Sequence, residues 1–134
     1  METAIQRAVR DRAKHRCEYC HFPESFAEVP FHCDHVIARQ HGGAYEMENL
    51  ALACCFCNRY KGPNLAGMDP ESRDVAILFH PRTHLWVEHF AWNGPQLLGL
   101  TSIGRATIHA LRLNRVDAVA VRKLLMKEGV FPLD

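Results

Sequence analysis

Residues 17–62 decide the fold of this 134-residue chain, with the sequence CEYCHFPESFAEVPFHCDHVIARQHGGAYEMENLALACCFCNRYKG. The stretch begins with one C-x-x-C pair, Cys17 and Cys20, and ends just after a second, Cys54 and Cys57. Four thiolates at this spacing can close a tetrahedral zinc site. Zinc held by four cysteines has no open coordination position, so we expect it to be structural. Any catalysis must then come from other residues.

The 33 residues between the two pairs are long enough to form a β-hairpin. The pattern predicts a first strand at residues 31–36, a turn at 41–43 and a returning strand at 49–52. A helix is expected to begin at the second pair. A zinc ion bound to both pairs would therefore clamp both ends of the hairpin.

Other interpretations of the cysteines are weaker. We expect no secretory signal, because the first residues lack the apolar run that one requires, and a redox dithiol would need only one C-x-x-C pair, so six cysteines favour zinc. We expect Cys33 to be a small buried apolar residue and Cys55, inside the second pair, not to be a ligand. A nucleobase deaminase would need H-x-E and P-C-x-x-C. Here the corresponding residues are His32-Cys33-Asp34, and Ala53 precedes the second pair, so that signature is absent.

The order of polar residues resembles the zinc-knuckled branch of the HNH endonuclease family. That family has a ββα-metal core with Asp-His on the first strand, Asn on the second, and His or Asn beside the final knuckle. The matching residues here are Asp34, His35, Asn49 and Asn58. The segments LFHPR at 78–82 and W-x-x-HF at 86–90 also resemble extensions found in one group of these proteins.

The resemblance implies a metal-dependent DNA endonuclease. Hydrolysis of a phosphodiester needs an activated water, stabilisation of phosphate charge and help for the departing alkoxide. His35 would be the general base, and Asp34 and Asn58 would be oxygen ligands for a catalytic Mg²⁺ or Mn²⁺. Asn49 would orient the His35 ring and shape the hairpin. Asn58 has a second interpretation, as the cap of the following helix.

Charge alone does not identify a partner, because the net charge is only +1. Residues 1–16 predict an amphipathic helix with a basic exposed face, which could simply be solvated. Arg39, Arg59 and Lys61 lie close in sequence to the candidate catalytic residues and are expected to contact phosphates.

The remaining chain predicts a turn-rich connection at 64–72, strands at 75–79, 86–92 and 96–100, and helices at 102–113 and 117–127. Aromatic residues alternate along the second of these strands, and core packing is their expected role rather than base stacking. Six cations of the last two helices could extend a basic surface: Arg105, Arg112, Arg115, Arg122, Lys123 and Lys127.

We therefore predict an α+β fold: a zinc-stapled ββα-metal core with an N-terminal helix, an additional β-hairpin and C-terminal helices. Residues 1–134 are expected to form one domain, with a motif core at 17–62 and an extension at 63–134. The expected function is a cytoplasmic, metal-dependent DNA endonuclease with a structural Zn²⁺ and no membrane span. The alternative is a zinc-ordered nucleic-acid-binding module without cleavage activity. The oligomeric state stays open.

Overall fold

The computed structural model describes residues 1–132, and the chain divides into two compact units. The first unit contains Met1–Asn64 and His80–Thr83, and the second contains Leu65–Phe79 and the chain from His84 onward. The mixture of helices and small antiparallel sheets confirms the α+β prediction. A single domain over residues 1–134 stays a prediction. Among the described residues, no helix has the length and apolar character that crossing a bilayer requires.

The first unit is a β-hairpin with a helix on either side of it in sequence. Its elements are α1 (Ala4–Arg12), β1 (His32–His35), β2 (Leu50–Ala53) and α2 (Cys55–Lys61). The two strands pair antiparallel, with Cys33 opposite Leu52 and His35 opposite Leu50. This confirms the predicted hairpin and the helix at the second cysteine pair.

Strand β2 is the centre of this unit. All four of its residues, Leu-Ala-Leu-Ala, are buried, because α1 and α2 both pack against the strand. A strand covered on both faces is expected to be a continuous apolar run. Thr3 caps the start of α1: its hydroxyl accepts the backbone N–H of Gln6, and the Gln6 side chain accepts the N–H of Thr3. This capping box satisfies two backbone donors at the start of the helix.

The prediction of a basic exposed face on α1 is only partly correct. Arg10 forms an ion pair with Glu24 and donates to the carbonyl of Phe31. Arg12 donates to the carbonyls of Met47 and Leu50, at 2.9 and 2.6 Å. These two guanidinium groups attach α1 to the hairpin instead of forming an open cationic surface.

The second unit contains two further hairpins and three helices. Its elements are β3 (Ala66–Met68), β4 (Val75–Ile77), α3 (Trp86–His89), β5 (Phe90–Asn93), β6 (Gln96–Gly99), α4 (Ser102–Leu111) and α5 (Val116–Lys127). Strand β3 pairs with β4, and β5 pairs with β6. Helix α4 packs against β3, β4 and β6, and it begins at Ser102 as predicted, with Thr101 as its N-cap.

Two segments of this unit differ from the predictions. The 64–72 connection contains β3, which depends on pairing with β4. Gly67 lets this strand approach α4, since a Cβ there would lie 3.4 Å from the Ala110 Cβ. The predicted strand at 86–92 begins with helix α3 and becomes a strand only at Phe90. Trp86 and Phe90 are four residues apart, a spacing that fits both a helical turn and strand alternation. Their rings pack together with centroids 5.1 Å apart, as expected for a packing role.

Two cations that could have extended a basic surface on the C-terminal helices are instead paired with interior groups of this unit. Arg122 is 3% exposed, donates to the carbonyls of Pro95 and Leu113, and lies over the Trp92 ring. Arg105 donates two hydrogen bonds to the buried carboxylate of Asp69. Both side chains satisfy interior polar groups, which a helical charge pattern alone does not reveal.

Candidate metal centre and active site

The four predicted zinc ligands meet at one buried point of the first unit. The sulfur atoms of Cys17, Cys20, Cys54 and Cys57 all lie within 4.8 Å of one another. The Cys20 and Cys54 sulfurs are 3.8 Å apart. A tetrahedral site with Zn–S bonds of about 2.3 Å places its sulfurs roughly 3.8 Å apart. The Cys20–Cys54 pair therefore has the separation expected in a four-cysteine zinc site, and the whole cluster is compact enough to hold one ion.

The pKa shifts of these thiols follow from their burial beside one another. Burial raises the pKa of Cys17 well above its ordinary value, whereas thiol hydrogen bonds from Cys17, Cys20 and Cys57 lower the pKa of Cys54. Four thiolates this close would repel one another without a counter-charge, and Zn²⁺ would supply one. Cys33 and Cys55 lie outside the cluster and are partly exposed. The expectation that Cys33 is buried is wrong, because it faces clefts on β1.

A cleft of about 400 Å³ opens beside the hairpin and brings three predicted site residues together. Asp34 and His35 reach it from β1, and Asn58 reaches it from α2. The N-cap of α2 is Cys54, whose sulfur accepts the backbone N–H of Cys57 at 3.4 Å. Asn58 is therefore inside the helix, and the interpretation of Asn58 as its cap is wrong. Its amide remains available to the cleft.

Asp34 lies at the inner wall of this cleft, with its side chain 11% exposed. Its Oδ2 atom is 3.2 Å from the ammonium nitrogen of Lys61, which also donates to the carbonyl of His35 at 3.2 Å. Burial raises the pKa of Asp34 above its ordinary value, and this outweighs the lowering by Lys61, by His35 and by the hydroxyl of Tyr19. The carboxylate is therefore a desolvated group whose negative charge calls for a nearby cation.

The imidazole of His35 lies near two side chains of the following loop. The Nε–H of Arg39 points at His35 Nε2 over 3.4 Å, and the Tyr45 ring centroid lies 5.7 Å from the His35 ring. Nε2 is the acceptor in this contact, and an acceptor nitrogen with a lone pair is the form needed to take up a proton. All three residues also line a larger cleft of about 740 Å³ that continues toward α1.

Asn49 acts as a clamp on the loop between the strands. It is 7% exposed; its Oδ1 accepts the N–H of Ile37, and its Nδ2 donates to the carbonyls of Ile37 and Ala44. The predicted turn is present, with Gly42 at φ 89°. A Cβ on Gly43 would lie 1.7 Å from the Ile37 carbonyl oxygen, so only glycine fits there. These contacts agree with a loop-shaping role for Asn49, while direct orientation of the His35 ring stays a prediction.

Residues 17–64 match the family model described as HNH endonuclease. The match covers 48 of the 134 residues, and we call this segment the HNH domain after the family that it resembles. No curated protein and no solved structure matches the chain. Within the HNH domain, β1, β2 and α2 have the hairpin-then-helix order of the ββα-metal core, and the cysteine cluster fits the zinc-knuckled branch.

The three residues that were expected to contact phosphates lie in different environments in the HNH domain. Arg39 is exposed at the cleft, and Arg59 is exposed on α2, its guanidinium 5.7 and 5.3 Å from the ring centroids of Phe56 and Tyr60. Lys61 is only 2% exposed and is engaged with β1. The expected phosphate contact does not fit Lys61, because its ammonium group is buried away from the surface and is already paired with Asp34. We therefore assign Lys61 to the interior of the HNH domain.

The first cysteine knuckle contains two site residues to which the sequence analysis gave no role. Tyr19 is fully buried, and hydrogen bonding by its hydroxyl lowers the pKa of Asp34. Glu18 accepts the backbone N–H of Leu52 at 2.8 Å and forms an ion pair with Arg82. The signal for both residues in the sequence was their place between Cys17 and Cys20, two of the predicted zinc ligands. The knuckle thus contacts both strands of the HNH hairpin as well as the proposed zinc.

Proposed function

We propose that the HNH domain is a metal-dependent DNA endonuclease that hydrolyses phosphodiester bonds. The observation that supports this most is the shared cleft of Asp34, His35 and Asn58. An imidazole beside a carboxylate and an amide oxygen combines a proton acceptor with donors that suit a hard cation. The family match to residues 17–64 supports nuclease chemistry in general, and DNA as the substrate is part of the proposal.

Each residue of the cleft has a distinct role in this proposal. His35 accepts a proton from the attacking water at Nε2, the nitrogen that faces Arg39. Arg39 and Arg59, both exposed, would hold phosphate oxygens. Asp34 and Asn58 would hold Mg²⁺ or Mn²⁺. Such an ion, when bound, stabilises negative charge on the phosphate and on the leaving oxygen. Asn49 keeps the loop that carries Arg39 in place.

The cysteine cluster has a separate role in the proposal. Cys17, Cys20, Cys54 and Cys57 would hold one structural Zn²⁺ that fixes the start of α2, and thereby Asn58, against β1. The four thiols must stay reduced to bind zinc, which fits a reducing cytoplasm.

Incubation of zinc-loaded protein with supercoiled plasmid tests the proposal, using Mg²⁺, Mn²⁺ and a metal-free control with chelated divalent ions. We expect nicked circles with at least one ion and none without it. The Asp34→Ala/His35→Ala double variant, purified in parallel, measures contaminating nuclease. DNA binding without nicks under any ion would contradict the endonuclease and support the alternative, a zinc-ordered binding module. Because one active centre cuts one strand, the ratio of linear to nicked product would report whether two centres act together.

A further inference from the structure

The HNH domain contains a buried ammonium group that the proposed reaction does not use. Lys61 is 2% exposed, although lysine is almost never fully buried unless it is paired. Its Nζ atom lies 3.2 Å from Asp34 Oδ2 and 3.2 Å from the carbonyl oxygen of His35. Both partners belong to the adjacent residues proposed for metal binding and proton transfer. The ammonium therefore contacts the catalytic end of β1 from inside the domain.

The position of Lys61 on α2 links this contact to both metal sites. Asn58 is three residues before Lys61 and Cys57 is four residues before it, so the three side chains share one face of the helix. Cys57 is fully buried in the cysteine cluster, and Asn58 faces the cleft. A displacement of Lys61 would thus alter how Asn58 and Asp34 face each other.

The two oxygens of Asp34 have different environments. Oδ2 is buried and faces the ammonium. The carboxylate also lines the cleft, and because Oδ2 is turned to the ammonium we assign the remaining oxygen, Oδ1, to a cation bound there. The buried Tyr19, which lies between Cys17 and Cys20, also stabilises the same carboxylate through its hydroxyl group. Inner partners of this kind fix the orientation of a ligating carboxylate.

We propose that Lys61 is a positioning residue, which holds Asp34 Oδ2 and the His35 carbonyl so that Oδ1 is presented to the catalytic divalent ion. The inference rests on the proposed function, since it requires that Asp34 binds this ion. Removal of such partners of metal ligands typically lowers metal affinity or activity by 10- to 100-fold. The expected effect of losing the ammonium is therefore a weaker catalytic ion site with an intact zinc site.

Direct measurement of Mn²⁺ binding tests this without relying on cleavage. Free Mn²⁺ would be titrated by electron paramagnetic resonance into zinc-loaded wild-type, Asp34→Asn and Lys61→Met proteins. Zinc content and thermal unfolding would be recorded for each. We expect Lys61→Met to weaken Mn²⁺ binding by roughly 10- to 100-fold with one zinc retained. Lys61→Gln, which keeps a hydrogen-bond donor, should lie between Lys61→Met and wild type. Arg59→Met removes a cation from the exposed side of the same helix and should leave Mn²⁺ affinity unchanged.

The outcomes separate this inference from the proposed function. A folded Lys61→Met protein with wild-type or tighter Mn²⁺ binding, when Asp34→Asn has lost it, would overturn the positioning role and leave the endonuclease proposal standing. If Lys61→Met does not fold, Lys61→Gln is judged by the same criterion. If Lys61→Met and Lys61→Gln both fail to fold, Lys61 is required for folding, and the inference is overturned. No Mn²⁺ binding by wild type, or binding unaffected by Asp34→Asn, would overturn both proposals.

Discussion

Asn49→Ala should destabilise the HNH hairpin and impair cleavage together. The substitution removes three hydrogen bonds of 2.9 to 3.0 Å to the backbone of Ile37 and Ala44. At a net contribution of about 1 kcal/mol for each hydrogen bond, the free energy of unfolding should fall by about 3 kcal/mol. With an unfolding entropy of about 2.1 cal/mol/K per residue over the whole chain, the melting temperature should fall by roughly 10 °C.

The chain offers a matched control for this change. Asn114, in the second unit, also makes three side-chain hydrogen bonds: two with the backbone of Leu97 and one with the guanidinium of Arg122. Asn114→Ala should have a similar cost in stability, because the number and type of lost bonds are similar. Only Asn49→Ala should reduce cleavage at a temperature where both variants remain folded.

Urea and thermal unfolding of the zinc-loaded proteins, followed by the plasmid assay well below both melting temperatures, would measure these effects. If Asn49→Ala changed the free energy of unfolding by less than about 0.5 kcal/mol, the stabilising role of its three hydrogen bonds would be refuted. Changes of that size are typical of substitutions at surface positions without special contacts. Equal losses of cleavage in Asn49→Ala and Asn114→Ala would show that cleavage follows global stability and not the shape of the active-site loop.

Other expected outcomes concern the separate roles of base, ion and zinc ligands. His35→Ala should lower cleavage by roughly 100- to 10,000-fold with zinc content unchanged; wild-type-like cleavage would remove His35 from the mechanism. Asp34→Ala should weaken the response of cleavage to added Mg²⁺ or Mn²⁺, which a titration of cleavage against the ion would measure. An unchanged titration would exclude Asp34 as a ligand. Cys17→Ser should lose zinc and hairpin structure, whereas Cys33→Ser and Cys55→Ser should keep one zinc per chain by elemental analysis. Wild-type protein that contains no zinc but keeps its fold would contradict the structural zinc site.

The sequence alone was sufficient for the features that depend on local spacing. Two C-x-x-C pairs place four thiols at separations that favour one tetrahedral site, and the structure brings the four sulfurs together. The hairpin followed from apolar segments on either side of a His-Gly-Gly turn, and β1 and β2 confirm it. The Asp-His pair of β1 and Asn58, next to the last cysteine, were therefore expected near each other, because strand, turn and helix are each short.

The tertiary structure decided which side chains are exposed and what the charged groups do. Lys61 and Arg59 are both cations of α2, and the sequence alone does not tell them apart. In the structure Lys61 is buried against Asp34, which lies 27 positions earlier in the chain, whereas Arg59 is exposed. Arg12 donates to backbone carbonyls 35 and 38 residues away, so part of a face that was expected to be an open basic surface is bonded to the hairpin. Strand β3 likewise exists through its pairing with β4. In each case the free energy comes from partners distant in sequence, and a buried charge is stable only where the folded chain supplies such partners.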